Sequence, residues 1–235
     1  MKKCLDAVRS SSYLVAFSGA GMDTESHLPD FRGPEGLWKN HDPRTLASTR
    51  ALYDNYSLFH EFYSYRIQCL KGARPHRGHE ILADWERRGL LKAIITQNVS
   101  GLHREAGSAN VIELHGNIRR IFCLECAREH HEDVFLDGGR CQCGGLLRPG
   151  VTLFGESLPS EAFYRADEEL SKADMVLILG TSLEVYPAAQ LPFMYPMKRA
   201  YVDLQAYADE RIDFVIRQRI GAFLERALRY FEEES

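Results

Sequence analysis

The chain has 235 residues, 45% of them hydrophobic and 26% charged, with a formal net charge of −4. That length supports one large domain, or one domain with a small appendage, and a core that needs no disulfides. The mild negative charge argues against a bulk polyanionic partner such as DNA or an acidic membrane surface.

Met1 to Ser12 reads as a short helix with Leu5 and Val8 one turn apart. Lys2 and Lys3 precede an apolar run, Tyr13 to Phe17, that is too short for a secretion signal. No run approaches the ~20 apolar residues of a membrane helix. A cytoplasmic protein is the expectation, and in that reducing setting the six cysteines read as metal ligands or buried thiols.

Tyr13-Leu14-Val15-Ala16-Phe17 has the continuous apolar character of a strand buried on both faces. It runs into Ser18-Gly19-Ala20-Gly21, a glycine turn of the kind that lets backbone approach a phosphate. The third glycine of the dinucleotide fingerprint is replaced by Thr24, so the motif alone also fits a plain turn. Leu28-Pro29-Asp30-Phe31-Arg32-Gly33, with Pro34, Gly36 and Trp38 beyond, forbids a long helix. It reads as a surface loop or as a loop that folds over a ligand.

Leu46 to Leu70 turns helical, with Phe59, Phe62, Tyr63, Arg66, Ile67 and Leu70 at three- and four-residue spacings. Tyr63 and Arg66 share a face, either as a core tyrosine with an arginine snorkelling beside it or as a paired recognition group. His76 to Leu91 forms a second amphipathic helix. The strand Ala93-Ile94-Ile95-Thr96 then delivers Gln97-Asn98-Val99-Ser100, and Val111 to Leu114 delivers His115 beside Gly116. A lone histidine after a strand is usually structural. The amide pair at the neighbouring strand end favours chemistry here.

Cys123 and Cys126 are followed, after fourteen residues, by Cys141 and Cys143 with two glycines. The pairs read as a four-thiolate zinc site with a structural role, since four sulfurs leave no open position. The second pair is C-x-C rather than C-x-x-C, so His130 or His131 could replace one sulfur. The insertion is small and polar, and metal would hold it together. Leu147 to Glu156 is extended and lines a groove or links two elements. Glu161 to Lys172 is helical, Met175 to Leu179 is a buried strand ending in Gly180-Thr181-Ser182, and Ala200 to Leu204 is a fifth strand. Ile212 to Phe231 is expected to close the chain as one amphipathic helix. Alternating strands and helices predict an α/β fold, a doubly wound parallel sheet with its polar strand ends along one edge and the zinc insertion above that edge as a second small domain.

Gly19-Ala20-Gly21, Pro29 to Gly33, Thr96-Gln97-Asn98-Val99 with Gly101-Leu102-His103, Leu114-His115-Gly116, the cysteine pairs, Phe154-Gly155-Glu156 and Gly180-Thr181-Ser182 stand in the order found in the sirtuins. The chain resembles that family over almost its whole length. The resemblance implies NAD-dependent removal of acyl groups from protein lysines, with NAD as co-substrate and one structural zinc. It implies a Rossmann-like doubly wound large part at about 1–33, 76–118 and 158–235, and a small zinc-binding and helical domain at about 34–75 (helical) and 119–157 (zinc).

Site roles carried over by the resemblance are these. Gly19, Ala20, Gly21, Gly180, Thr181 and Ser182 take the dinucleotide's phosphates, and Asp30, Phe31, Arg32 and Trp38 cover the nicotinamide ribose. Gln97 and Asn98 meet the ribose, Val99 and Ser100 the nicotinamide, and Gln205 the adenosine end. Val151, Phe154 and Gly155 line the acyl-lysine. His115 is the general base on a ribose hydroxyl, after the acyl oxygen has displaced nicotinamide, and Asn98 assists. The products are free lysine and O-acyl-ADP-ribose. Tyr63 and Arg66 resemble the pair of sirtuins that act on succinyl- and malonyl-lysine, because an arginine fork and a phenol suit a carboxylate. Protein ADP-ribosyl transfer, or NAD binding with weak activity, are the alternatives. The implied partners are acyl-lysine proteins, with no direct nucleic acid, no membrane and a monomeric chain.

Departures from the family's usual residues stand at five positions. Ser100 replaces a usual aspartate, Asp23 and His27 a usual serine and glycine, Thr152 a usual valine, and Gln205 a usual asparagine.

Overall fold

The computed structural model describes residues 1–28 and 43–233. The apolar runs of the sequence become strands buried on both faces. After α1 (Lys2–Ser10) comes β1 (Leu14–Ser18), every residue of which is buried, and a 3-10 turn at Ala20–Ser26. Three helices follow, α2 (Pro43–Leu46), α3 (Thr49–Asp54) and α4 (Tyr56–Lys71), then α5 (Arg77–Arg87). Next are β2 (Leu91–Thr96), α6 (Leu102–Glu105) and β3 (Val111–Glu113). The middle of the chain forms β4 (Gly116–Cys123), β5 (Glu129–His130), α7 (Glu132–Leu136) and β6 (Leu147–Val151). The last third forms α8 (Ser160–Lys172), β7 (Met175–Leu179), β8 (Lys198–Val202), β9 (Phe214–Ile216) and α9 (Ile220–Glu233).

Six strands make one sheet in the order β3-β2-β1-β7-β8-β9, and all its pairings are parallel. The order reverses between β1 and β7. At such a switch point the loops leaving the two strands diverge and open a crevice at their carboxyl ends. Helices α1, α5 and α9 cover one face through Leu5, Val8, Leu82, Trp85, Phe223 and Leu224. Helix α8 covers the other through Ala166 and Leu170. No described helix is long and apolar enough to cross a membrane.

A second sheet, antiparallel in the order β5-β4-β6, has its own hydrophobic cluster. There Phe59, Tyr63 and Ile67 of α4 pack with Ile118, Phe135 and Leu147. One of the chain's crossings between the two sheets is a single peptide. His115 follows β3 and Gly116 opens β4 with φ of +75°, and a Cβ at Gly116 would lie 2.1 Å from the Gly150 carbonyl oxygen. Only glycine makes that corner.

Three expectations change. Leu46 to Leu70 is broken into separate helices, because the Ser48 and Asn55 side chains cap Ala51 N–H and Leu58 N–H and start new turns. The helix expected to run to Leu91 stops at Arg87, where Gly89 takes φ of +76° and Leu91 enters β2. Ile212 to Phe231 is not one helix. Phe214-Val215-Ile216 pairs with Ala200 to Val202 as an added strand, and the helix starts only at Ile220. The aromatic and β-branched run satisfies the open edge of β8, which outweighs its helical periodicity.

Candidate active site

The switch point opens a cleft of about 530 Å3 whose walls come from both sheets. On the large-sheet side it is floored by Gly19, Ala20 and Gly21 after β1 and by Gly180, Thr181 and Ser182 after β7. These turns touch. A Cβ on Gly19 would stand 2.6 Å from Thr181 Cβ, and one on Gly21 2.8 Å from Gly180 Cα. Glycine there lets the backbone form the floor itself, a surface suited to phosphates. Gln205, after β8, is exposed at the same rim.

The loop after β2 is held from beneath by a buried hydrogen-bond chain. Ser18 donates to Thr96 Oγ1 at 2.8 Å, and Asn98 N–H donates to the same oxygen at 3.0 Å. Because the Ser18 proton goes to Thr96, its oxygen accepts from His103 Nε2 at 2.9 Å. The Asn98 side chain donates to Gly19 O at 2.9 Å, which leaves its amide oxygen for the cleft. Gln97 donates to Thr181 Oγ1 at 2.9 Å, tying the β2 loop to the β7 loop.

His115 lines the cleft and contacts Gln97 O through Nδ1 at 3.0 Å. A carbonyl only accepts, so Nδ1 carries the proton and Nε2 keeps its lone pair. Burial pulls the His115 pKa below 6.5 although the Gln97 bond opposes it. The imidazole is therefore neutral at pH 7 and competent as a base.

On the small-sheet side the cleft is lined by Val151, Thr152, Phe154 and Gly155. Phe154 N–H donates to Ala47 O at 2.8 Å and Thr49 N–H to Phe154 O at 3.0 Å, so this segment is strapped to the start of α3. A second clamp was not legible beforehand. Arg148 is buried, donates to both carboxylate oxygens of Glu156 and to Val151 O, and Glu156 accepts from Leu153 N–H. The available signal was an arginine inside the apolar run Leu146-Leu147-Arg148, since a buried cation needs a partner nearby.

Tyr63 and Arg66 line the cleft from α4. Burial raises the Tyr63 phenol to about 12, so it stays a neutral hydroxyl. Burial also lowers Arg66 from its ordinary value, while its bond to Tyr63 opposes the shift. The guanidinium lies 5.7 Å from both the Phe62 and Tyr63 ring centroids. Arg66, Asn98, Val99 and Ala20 also border a narrow side pocket, and Ser100 is found there rather than in the main cleft. Asp30, Phe31, Arg32 and Trp38 lie outside the described residues.

Away from the cleft, Cys123, Cys126, Cys141 and Cys143 converge with all four sulfurs within 4.8 Å of one another. Neighbouring sulfurs stand 3.5 to 3.6 Å apart. A zinc ion with four thiolates at about 2.3 Å spaces its sulfurs by about 3.8 Å, so the cluster fits that ion. The C-x-C spacing is accommodated by a tight turn, with Gly144 N–H bonded to Cys141 O at 2.8 Å and Gly144 at φ of +86°. Neither histidine joins the described cluster. His131 caps α7, and His130 sits on β5.

Comparison with known proteins points one way. The model of the Sir2 family matches residues 19–187. An NAD-dependent protein deacetylase of Geobacillus kaustophilus is 48% identical over 222 residues, covering 92% of each chain. An NAD-dependent protein deacylase of Pyrococcus abyssi is 42% identical and covers 93% of each. A solved Sir2 with a deacetylated p53 peptide and 3′-O-acetyl ADP-ribose superimposes with a TM-score of 0.92 at 34% identity, covering 98% of each chain.

Proposed function

The chain belongs to the Sir2 family of NAD-dependent protein deacylases, and on that premise we propose that it removes acyl groups ending in a carboxylate, succinyl and malonyl, from protein lysines. One observation carries the acyl preference: Tyr63 and Arg66 open onto the same cleft as His115. A planar guanidinium accommodates a carboxylate with two parallel hydrogen bonds, and the phenol adds a donor. An acetyl group brings no carboxylate to either.

In this reading the glycine floor and Thr181-Ser182 carry the dinucleotide's phosphates, Gln205 lies at its adenosine end, and the side pocket with Ser100 takes the nicotinamide. The acyl-lysine runs along Val151, Phe154 and Gly155. Displacement of nicotinamide by the acyl oxygen frees a ribose hydroxyl to attack next. His115 Nε2 takes the proton from that hydroxyl, and Asn98 holds the ribose. The lysine amine then leaves and one water adds, giving free lysine and O-acyl-ADP-ribose; the acyl group has passed from lysine to ADP-ribose, so the enzyme is formally a transferase. A zinc ion on the four cysteines would cross-link the ends of β4 and β6 and keep the small sheet in shape. The protein's division into a large part and a small helical-plus-zinc part is supported by the separate clusters of the two sheets. Free cysteines suit the reducing cytoplasm.

The test is incubation with NAD and matched succinyl-, malonyl- and acetyl-lysine peptides, following nicotinamide, peptide mass and protein-bound ADP-ribose. Faster loss of the acidic acyl groups with O-acyl-ADP-ribose as product supports the reading. Faster loss of acetyl overturns the preference, and labelled protein without peptide loss overturns the reaction.

A further inference from the structure

Sequence comparison alone leaves Ser100 as a lost charge at the nicotinamide side. The side pocket holds another carboxylate. Asp23, from the turn after β1, lines it together with Ser100, from the loop after β2. Asp23 is only 6% exposed. Its Oδ1 accepts from His79 Nε2 at 3.2 Å, and its Oδ2 has no hydrogen-bond partner among the described residues. His79 is wholly buried, packed edge-on against His76 and His103, so it holds the carboxylate in one orientation. Among the described residues, Leu28, Leu70 and Ile118 give it apolar walls, Tyr65, Cys69 and Asn98 line it too, and Arg66 borders it from the acyl side. A buried carboxylate with an unused oxygen in an apolar pocket is an acceptor for a ligand N–H.

We propose that Asp23 is the specificity-determining anion of the side pocket that it lines together with Ser100, accepting the carboxamide N–H of nicotinamide. The inference rests on the reading above, in which this pocket takes the nicotinamide end of NAD. The charge has changed residues and has not been lost. Asp23 touches the ligand, and His79 is its positioning residue. A carboxylate accepts from an amide but repels an acid, so the pocket discriminates nicotinamide from nicotinic acid.

The experiment measures binding of free nicotinamide and of nicotinic acid by calorimetry, with the protein saturated by ADP-ribose. The wild type should favour nicotinamide by about a hundredfold, and Asp23→Asn should lose about tenfold in nicotinamide affinity together with most of that discrimination. The paired exchange Asp23→Ser with Ser100→Asp should return nicotinamide affinity to within about threefold of wild type, since a carboxylate again faces the amide. Asp23→Asn binding nicotinamide as tightly as wild type, or a wild type indifferent between the two ligands, overturns the inference. The wild-type comparison decides even where a variant does not fold. Absence of ADP-ribose binding would instead sink the reading beneath it.

Discussion

His115 Nδ1 meets the carbonyl oxygen of Gln97 at 3.0 Å, and this bond fixes which imidazole nitrogen is free to act. The carbonyl comes from the loop after β2, so one strand end sets the tautomer of the imidazole delivered by another. Burial holds the His115 pKa below 6.5. The neutral form therefore dominates at pH 7. Its protonation gives kcat/KM an acid limb centred below 6.5, falling about tenfold per unit beneath it. His115→Ala should lower kcat by about 10²- to 10⁴-fold while NAD binding changes little. A pH–rate profile with no acid limb in that range would show another group to be the base.

The proposed acyl preference rests on Arg66. Arg66→Met should reduce desuccinylation by about ten- to a hundredfold and leave deacetylation within about threefold. Tyr63→Phe should have a smaller effect of the same sign. Rates on peptides matched in sequence check this, and a desuccinylase rate untouched by Arg66→Met contradicts it.

The cysteine cluster predicts a single zinc ion per chain, measurable by elemental mass spectrometry. Chelation, or Cys143→Ser, should loosen β4 to β6 and expose Leu147 and Phe135, read as dye binding and proteolysis near Cys126 and Cys143, both exposed turns. Metal-free protein with unchanged protease resistance would mean that the small sheet stands without the ion.

The buried imidazoles make stability pH-dependent. Burial depresses His103 well below 6.5, with His79 and His76 adding to the effect, and burial likewise lowers His76. The facing groups are Ser18, Asp23 and the Met22 carbonyl, with Glu25 nearby. Between the depressed value and 6.5 the unfolded chain binds protons that the folded chain excludes. Stability therefore rises with pH through that window and is lost as pH falls below 6.5. His103→Gln keeps a donor for Ser18 and should flatten the dependence of the urea midpoint on pH.

Glu156 predicts a split between binding and chemistry. Burial alone would raise its pKa, but bonds from Arg148 and Leu153 N–H outweigh burial and hold it below its ordinary value. Glu156→Gln leaves Arg148 buried without its counter-ion, at a cost of about 2 kcal/mol. Peptide KM should rise severalfold through the loosened Val151–Glu156 segment, with kcat less affected. Stopped-flow or steady-state kinetics separate the two.

Much of this was legible from residue order. Parallel strands buried on both faces appear as unbroken apolar runs, so Leu14 to Ser18 and Met175 to Leu179 were visible, and the glycines after them marked the crevice. β9 was not, because three residues carry too little signal against a helical periodicity that continues past them. The ligand cluster was visible because cysteine pairs advertise themselves by spacing. Asp23 with His79 and Arg148 with Glu156 are different. The first pair is 56 residues apart, and the second spans a strand end and a turn. Such pairings exist only once the chain is folded. That Asp23 and Ser100 line one pocket was likewise hidden, because a sequence lists positions and not the wall that each one faces.

The corner at Gly116 has a mechanical consequence. The residue before it carries the imidazole, and the residues after it carry the small sheet. His115 is thus bonded directly to the first residue of the small sheet, with no linker between them. A side chain at position 116 would be driven into the Gly150 carbonyl, so a replacement there has to part β4 from β6 and shift the neighbouring imidazole with them.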